Sequence, residues 1–151
     1  MKIWIDADSC PVAVRNIVIK ASIKNSIKTF FVANHPIPIP KQKLFKMICT
    51  EATPDAADTY IVENCEIGDL VITRDIPMAK RVIDKKVVII NDRGIRYDEK
   101  NISERLSMRN FMLDLYNNGL MPEKTATLNK KDVQAFSNCF DRELQKLLKS
   151  Q

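Results

Sequence analysis

The chain has 151 residues, 45% hydrophobic and 28% charged, which is long enough and apolar enough for one globular core. Its net charge of +5 and pI near 9.0 favour a polyanionic partner, although a solvated lysine-rich surface accounts for the charge equally well. Four widely spaced cysteines and one histidine exclude a zinc finger, and three glycines exclude a dinucleotide fingerprint or a phosphate-cradling loop.

The first apolar run, Lys2-Ile3-Trp4-Ile5, predicts a strand over 2–6 that ends in Asp6-Ala7-Asp8. A helix is expected from Pro11, with Val14, Ile17, Val18 and Ala21 inward. Further strands are predicted over 28–33, 46–50, 69–73 and 87–90. Thr29-Phe30-Phe31-Val32-Ala33 and Leu70-Val71-Ile72-Thr73 are apolar without alternation, as in strands covered on both faces. Between them, the proline-rich 34–40 segment reads as a stiff surface connection.

Thr53 as cap, Pro54 at the first helical position and Asp55 in the first turn predict a second helix running to about Cys65, before Gly68. A third is expected from Asp75-Ile76-Pro77 to Asp84-Lys85-Lys86, followed after 87–90 by a turn at Asp92-Arg93-Gly94. Asn101 with Glu104 has the pattern of a capping box for a helix ending at Gly119. A loop over 120–127 precedes a last amphipathic helix within 128–151, built on Val133, Phe136, Phe140, Leu144 and Leu147. The alternation of strands and helices predicts one α/β domain over 1–151: a mainly parallel five-stranded sheet between two helical layers, with a C-terminal helical extension.

In such a sheet ligands bind beyond the carboxyl ends of the strands. Asp6 and Asp8 are placed there, and like charges so close call for a proton or a cation between them. Asp58 and Asp75 are expected to join them if the first and fourth strands are neighbours. The four would form an all-oxygen site for Mg²⁺ or Mn²⁺ that hydrolyses phosphodiesters. Each acid also has a structural explanation: Asp8 or Ser9 as a helix cap, Asp55 favoured by a helix dipole, Asp75 as a cap. Asp58, read as mid-helix, has none. Asp69 is placed at the opposite edge. Arg74 and Lys80, and Arg105 with Arg109 on one helix face, are candidate phosphate ligands or solvated charges. Cys10 before a helix is a weaker candidate nucleophile, and His35 is read as a loop hydrogen-bonder.

Asp6-Ala7-Asp8-Ser9-Cys10-Pro11, Val32-Ala33-Asn34, Asp55-Ala56-Ala57-Asp58, Gly68-Asp69-Leu70-Val71-Ile72-Thr73, Asp75-Ile76-Pro77-Met78-Ala79 and Arg105-Leu106-Ser107-Met108-Arg109, in this order, resemble the YaiI/YqxD family of uncharacterised bacterial proteins. That family is similar to the PIN-like nucleases. The resemblance implies a three-layer PIN-like fold in which Asp6, Asp58 and Asp75 match the acidic positions and Asp8 is an additional ligand or orienting group. It implies a nuclease-like site, and the acidic cluster inside a basic chain leads to the expectation of a metal-dependent nuclease acting on nucleic acid, single-stranded RNA first. Two alternatives compete: a phosphatase of the haloacid-dehalogenase type with Asp6 as nucleophile and Asp8 as acid/base, and a non-catalytic nucleic-acid-binding module. A homodimer through the last helix is a further expectation. No apolar run reaches the length of a membrane span and no signal peptide is visible, so free thiols in a reducing cytoplasm are expected.

Overall fold

A computed structural model describes residues 1–53, 55–120 and 128–151. Residues 121–127 of the loop expected over 120–127, and Pro54 at the start of the second helix, lie outside the described residues. The strands are β1 (Lys2–Asp6), β2 (Lys28–Ala33), β3 (Phe45–Cys49), β4 (Leu70–Ile72), β5 (Val88–Ile90) and β6 (Arg96–Tyr97), and the helices are α1 (Val12–Asn25), α2 (Ala56–Asn64), α3 (Ile76–Ile83), α4 (Ile102–Asn117) and α5 (Lys130–Lys149). The chain is α/β as expected, but among the described residues its sheet has six strands rather than five, in the order β3-β2-β1-β4-β5-β6.

The five predicted strands run parallel, while β6 adds antiparallel to β5. The extra strand follows the Asp92-Arg93-Gly94 turn, whose return stretch is too short to show a period. Asn91 shapes that turn: its Oδ1 accepts the N–H groups of Arg93 (2.9 Å) and Ile95 (2.9 Å). Gly94, at φ +81°, backs onto α5, where an added Cβ would stand 2.3 Å from the Ala135 carbonyl oxygen.

Strand alternation sorts the core into two layers. Ile3, Ile5 and Phe31 pack with Val14 and Val18 of α1 and with Phe136, Phe140 and Leu144 of α5. Trp4, Val32, Val71 and Ile89 pack on the other face with Ala57 and Ile61 of α2, Met78 and Val82 of α3 and Ile102 of α4. The last helix is therefore part of the core. Its apolar stripe, the expected dimer surface, is covered by the chain's own sheet and α1. Glu143, 3% exposed, pairs with Arg96 at 2.6 Å and ties α5 to β6.

Helix ends follow the expected chemistry only in part. The Asn101–Glu104 capping box does not form. Asn101 precedes α4, but its Oδ1 accepts from the Asp98 N–H (2.9 Å) and its Nδ2 donates to the Arg96 carbonyl (2.9 Å). A reciprocal box forms instead at α5, between Asn129 and Asp132. The third helix stops at Ile83, and Lys86 turns the chain at φ +57°. The second half of α4 is exposed, including Met108, Phe111, Met112 and Leu113. Among the described residues no helix is long and apolar enough to cross a membrane. Cys10, Cys49, Cys65 and Cys139 are free thiols.

At the amino edge of the sheet, Asp69 is 2% exposed and saturated. Its carboxylate accepts from the backbone N–H of Lys2 (2.9 Å), the Trp4 indole (3.0 Å) and the Glu66 N–H (2.9 Å). This anchors β1 against the turn before β4. Asp69→Ala leaves those donors unpaired in a buried place and is expected to cost about 3 kcal/mol in urea unfolding, with Asp69→Asn milder. Gly94→Ala forces a clash with the α5 backbone on top of an unfavourable φ, and its unfolding free energy in urea is expected to fall by more than the about 1 kcal/mol typical of a glycine site free of contacts.

Candidate active site at the carboxyl edge

The strand order reverses between β1 and β4, which pair directly with Ile5 opposite Ile72. Their carboxyl ends open a crevice of the kind used for ligands in parallel sheets. Asp6 lies on the face of Trp4, two residues earlier, and so is directed toward α2 and α3. One register step beyond Ile5–Ile72, Thr73 Oγ1 donates to Asp6 Oδ2 at 2.9 Å. Ser9 Oγ adds a second bond to the same oxygen at 3.3 Å. Thr73 Oγ1 also accepts the Asp75 N–H at 3.0 Å, so one hydroxyl ties both acids to the strand ends.

Asp75 is the N-cap of α3, its Oδ1 accepting the Met78 N–H at 3.1 Å. The capping explanation is therefore correct, and it does not exhaust the residue, because Asp75 also meets Asp58 side chain to side chain. Asp58 lies in the first turn of α2 rather than in mid-helix. It thus has the helix-dipole explanation that the sequence reading denied it. The dipole does not win. Burial first, then the hydrogen-bonding contact and charge of Asp75, then Asp6 and Asp55, push the Asp58 carboxyl up to about 8. Two carboxyl groups in such contact share a proton. Asp6 is also raised, chiefly by burial and further by Asp75 and Asp8, against the lowering effect of Thr73 and Ser9.

Asp8 does not cap α1. Pro11 occupies the N-cap position with no side-chain bond. The Asp8 carboxylate turns to the loop after β2 instead, accepting the Asn34 N–H at 3.0 Å and standing 3.2 Å from His35 Nδ1. His35 is the loop hydrogen-bonder expected. Asp55 is exposed at the N-cap of α2 and makes no side-chain cap bond. Burial pushes the Cys10 thiol up to about 12, away from the thiolate form that nucleophilic attack needs.

Asp6, Asp8, Asp58 and Asp75 line one cleft of about 440 Å³ together with Arg74 and Arg109. Lys80, exposed on α3, and Arg105 are not among its lining residues. The Arg105 Nε is buried with no hydrogen-bond partner among the described residues. Arg74 forms an ion pair with Asp92, which is 4% exposed just past β5. Asp92 escaped sequence reasoning because its place beside glycine reads as a turn, although a strand followed by an acid was the available signal. Ser9 and Thr73 were missed as well, since isolated hydroxyls carry no spacing pattern. Among the described residues, no three acidic, imidazole or thiol groups form a ready-made ligand set for a metal ion.

The raised Asp58 gives a pH dependence of defined sign. From its ordinary 3.8 up to about 8, the folded protein keeps a proton that the unfolded chain has lost, so stability falls as pH rises through that window. In metal-free buffer the melting temperature is expected to drop between pH 5 and pH 8.5. Asp58→Asn is expected to flatten that slope and to melt higher than the parent at pH 8.5. Thermal scans across pH with EDTA present check this, and a parent curve that rises with pH contradicts the arrangement.

The profile described as "Uncharacterized BCR, YaiI/YqxD family" matches residues 4–146. A UPF0178 protein of Treponema denticola is 52% identical over 149 residues, covering 99% of this chain and 95% of the relative. One from Treponema pallidum is 46% identical over 99% of this chain and 84% of its own length, and one from Psychromonas ingrahamii 42% identical over 99% of each. No solved structure matches. The chain therefore belongs to the YaiI/YqxD family.

Proposed function

We propose that this protein is a metal-dependent hydrolase of phosphodiester bonds, acting on RNA at the acidic cleft beyond β1 and β4. One observation carries the reading: cation-seeking carboxylates and phosphate-seeking guanidinium groups face the same volume, with Asp6, Asp8, Asp58 and Asp75 beside Arg74 and Arg109. Asp6, Asp8 and Asp75 each accept a hydrogen bond of their own, but Asp58 meets the Asp75 carboxyl instead, a contact that a purely structural role does not call for. The PIN-like resemblance of the motifs points the same way.

A hard divalent cation suits the donor set. The carboxylates offer oxygen ligands, and burial first, then the contact and charge of Asp75 and the charges of Asp6 and Asp55, push the Asp58 carboxyl up to about 8. Mg²⁺ or Mn²⁺ would be held by Asp58, Asp75 and Asp6, with Asp8 at the rim. When bound, such an ion supplies Lewis acidity and an acidified water. The chain's own residues do the rest. Thr73 and Ser9 hold Asp6 in place through its Oδ2. Asp58 would have to lose its proton to solvent in order to serve as a ligand. Arg74 and Arg109 take the non-bridging phosphate oxygens and orient the backbone, a contact that reads no base. The net charge of +5 draws a polyanion toward the cleft.

Incubation of the purified protein with end-labelled single-stranded RNA and Mn²⁺ is expected to give cleavage that EDTA abolishes. Asp6→Asn and Asp58→Asn are each expected to slow it by about 100-fold. Salt-sensitive RNA binding without turnover under any divalent ion would replace this reading with that of a non-catalytic binding module.

A further inference from the structure

Arg74 stands between Thr73 and Asp75 in the chain, at the edge of a cleft lined by Asp6, Asp58 and Asp75. A guanidinium in that position has a partner nearer than any phosphate. By forking onto Asp6 or Asp75 it would neutralise the acids and take the place of a cation. It does not. Among the described residues, the ion pair it makes is with Asp92. Asp92 follows β5, the strand beside β4, and is not a lining residue of the main cleft. Arg74 and Asp92 meet instead in a closed recess bounded also by Asp6, Ser9 and Thr73.

The pairing is mutual. A carboxylate 4% exposed needs a counter-charge, since burying it alone is costly. Arg74, still 42% exposed along its side chain, gains a fixed position without leaving the cleft surface. We infer that Asp92 is a positioning residue that holds Arg74 off the acid cluster, keeping Asp6, Asp58 and Asp75 open to a divalent cation while the guanidinium stays turned toward phosphate. The inference rests on the metal-dependent reading of the same cleft and adds a residue to it that contacts neither cation nor substrate.

Calorimetric titration of the full-length protein with Mn²⁺ alone tests it, with EDTA-treated melting curves as the folding control. Asp92→Asn releases Arg74 onto the acids and is expected to weaken Mn²⁺ binding about 10-fold, the usual size of an effect exerted through a ligand's neighbour. Adding Arg74→Gln to Asp92→Asn removes the released charge and is expected to restore binding to near the parent value. A merely structural Asp92 would not show that rescue. Should Asp92→Asn not fold, the contrast between two substitutions at the exposed arginine serves. Arg74→Lys keeps a charge that Asp92 cannot grip in a fork and is expected to weaken Mn²⁺ binding, while Arg74→Gln is not. Equal Mn²⁺ affinity in Asp92→Asn and parent, equal weakness in the single and double variants, or equal affinity in Arg74→Lys and Arg74→Gln would each overturn the inference and leave the metal site standing. A parent protein that binds no Mn²⁺ would overturn the metal reading, and this inference with it.

Discussion

Negative charge crowded where β1 and β4 end is the constraint around which the rest of this molecule is arranged. Asp58 and Asp75 touch, Asp6 stands near enough to raise Asp58 further, and all are partly or wholly withdrawn from water. Left to themselves these groups would separate, because like charges at short range in a poorly solvated place repel strongly. They cannot separate, because each is fixed by its backbone. Asp6 ends a central strand, Asp58 opens α2, and Asp75 caps α3. The two helices are packed by Ala57, Ile61, Met78 and Val82 onto the same face of the sheet. Hydrophobic packing thus sustains an electrostatic arrangement that is unfavourable on its own.

Two buried aspartates at opposite ends of the sheet make the contrast plain. Asp69 at the amino edge accepts three N–H donors and is a fastening. Asp6 at the carboxyl edge is equally enclosed, but it receives only hydroxyl donors at one oxygen and has acidic neighbours. The difference follows from what the chain presents at each edge. Asp69 meets backbone N–H groups and the indole of β1, while Asp6 meets the first turns of helices that themselves carry acids. One residue type therefore does opposite work in the two places.

The basic side chains divide in the same way. Arg96, on the short antiparallel strand, is committed to Glu143 and secures the last helix. Arg93 reaches Asp132 at the start of that helix. Arg74, while paired with Asp92, and Arg109 face the acidic cleft. Of these, Arg109 comes from α4, whose inner end is anchored by Ile102 while its outer half stands exposed.

The amino-acid sequence by itself determined the fold class and the strand positions, because apolar runs covered on both faces, proline and glycine breaks and helical spacing are local signals. It also pointed to Asp6, Asp8, Asp58 and Asp75 through their places beside strand and helix ends. The sixth strand was not legible, since a two-residue pairing has no period and exists only because β5 offers an edge. Whether an acid caps, pairs or crowds was likewise decided only by tertiary structure. Asp8 turned from α1 to Asn34, Asp75 capped a helix and still met Asp58, and Asp92 found Arg74 from another strand. Those outcomes depend on which side chains arrive from distant segments, and the free energy of a buried charge is set by those neighbours rather than by its own position in the chain.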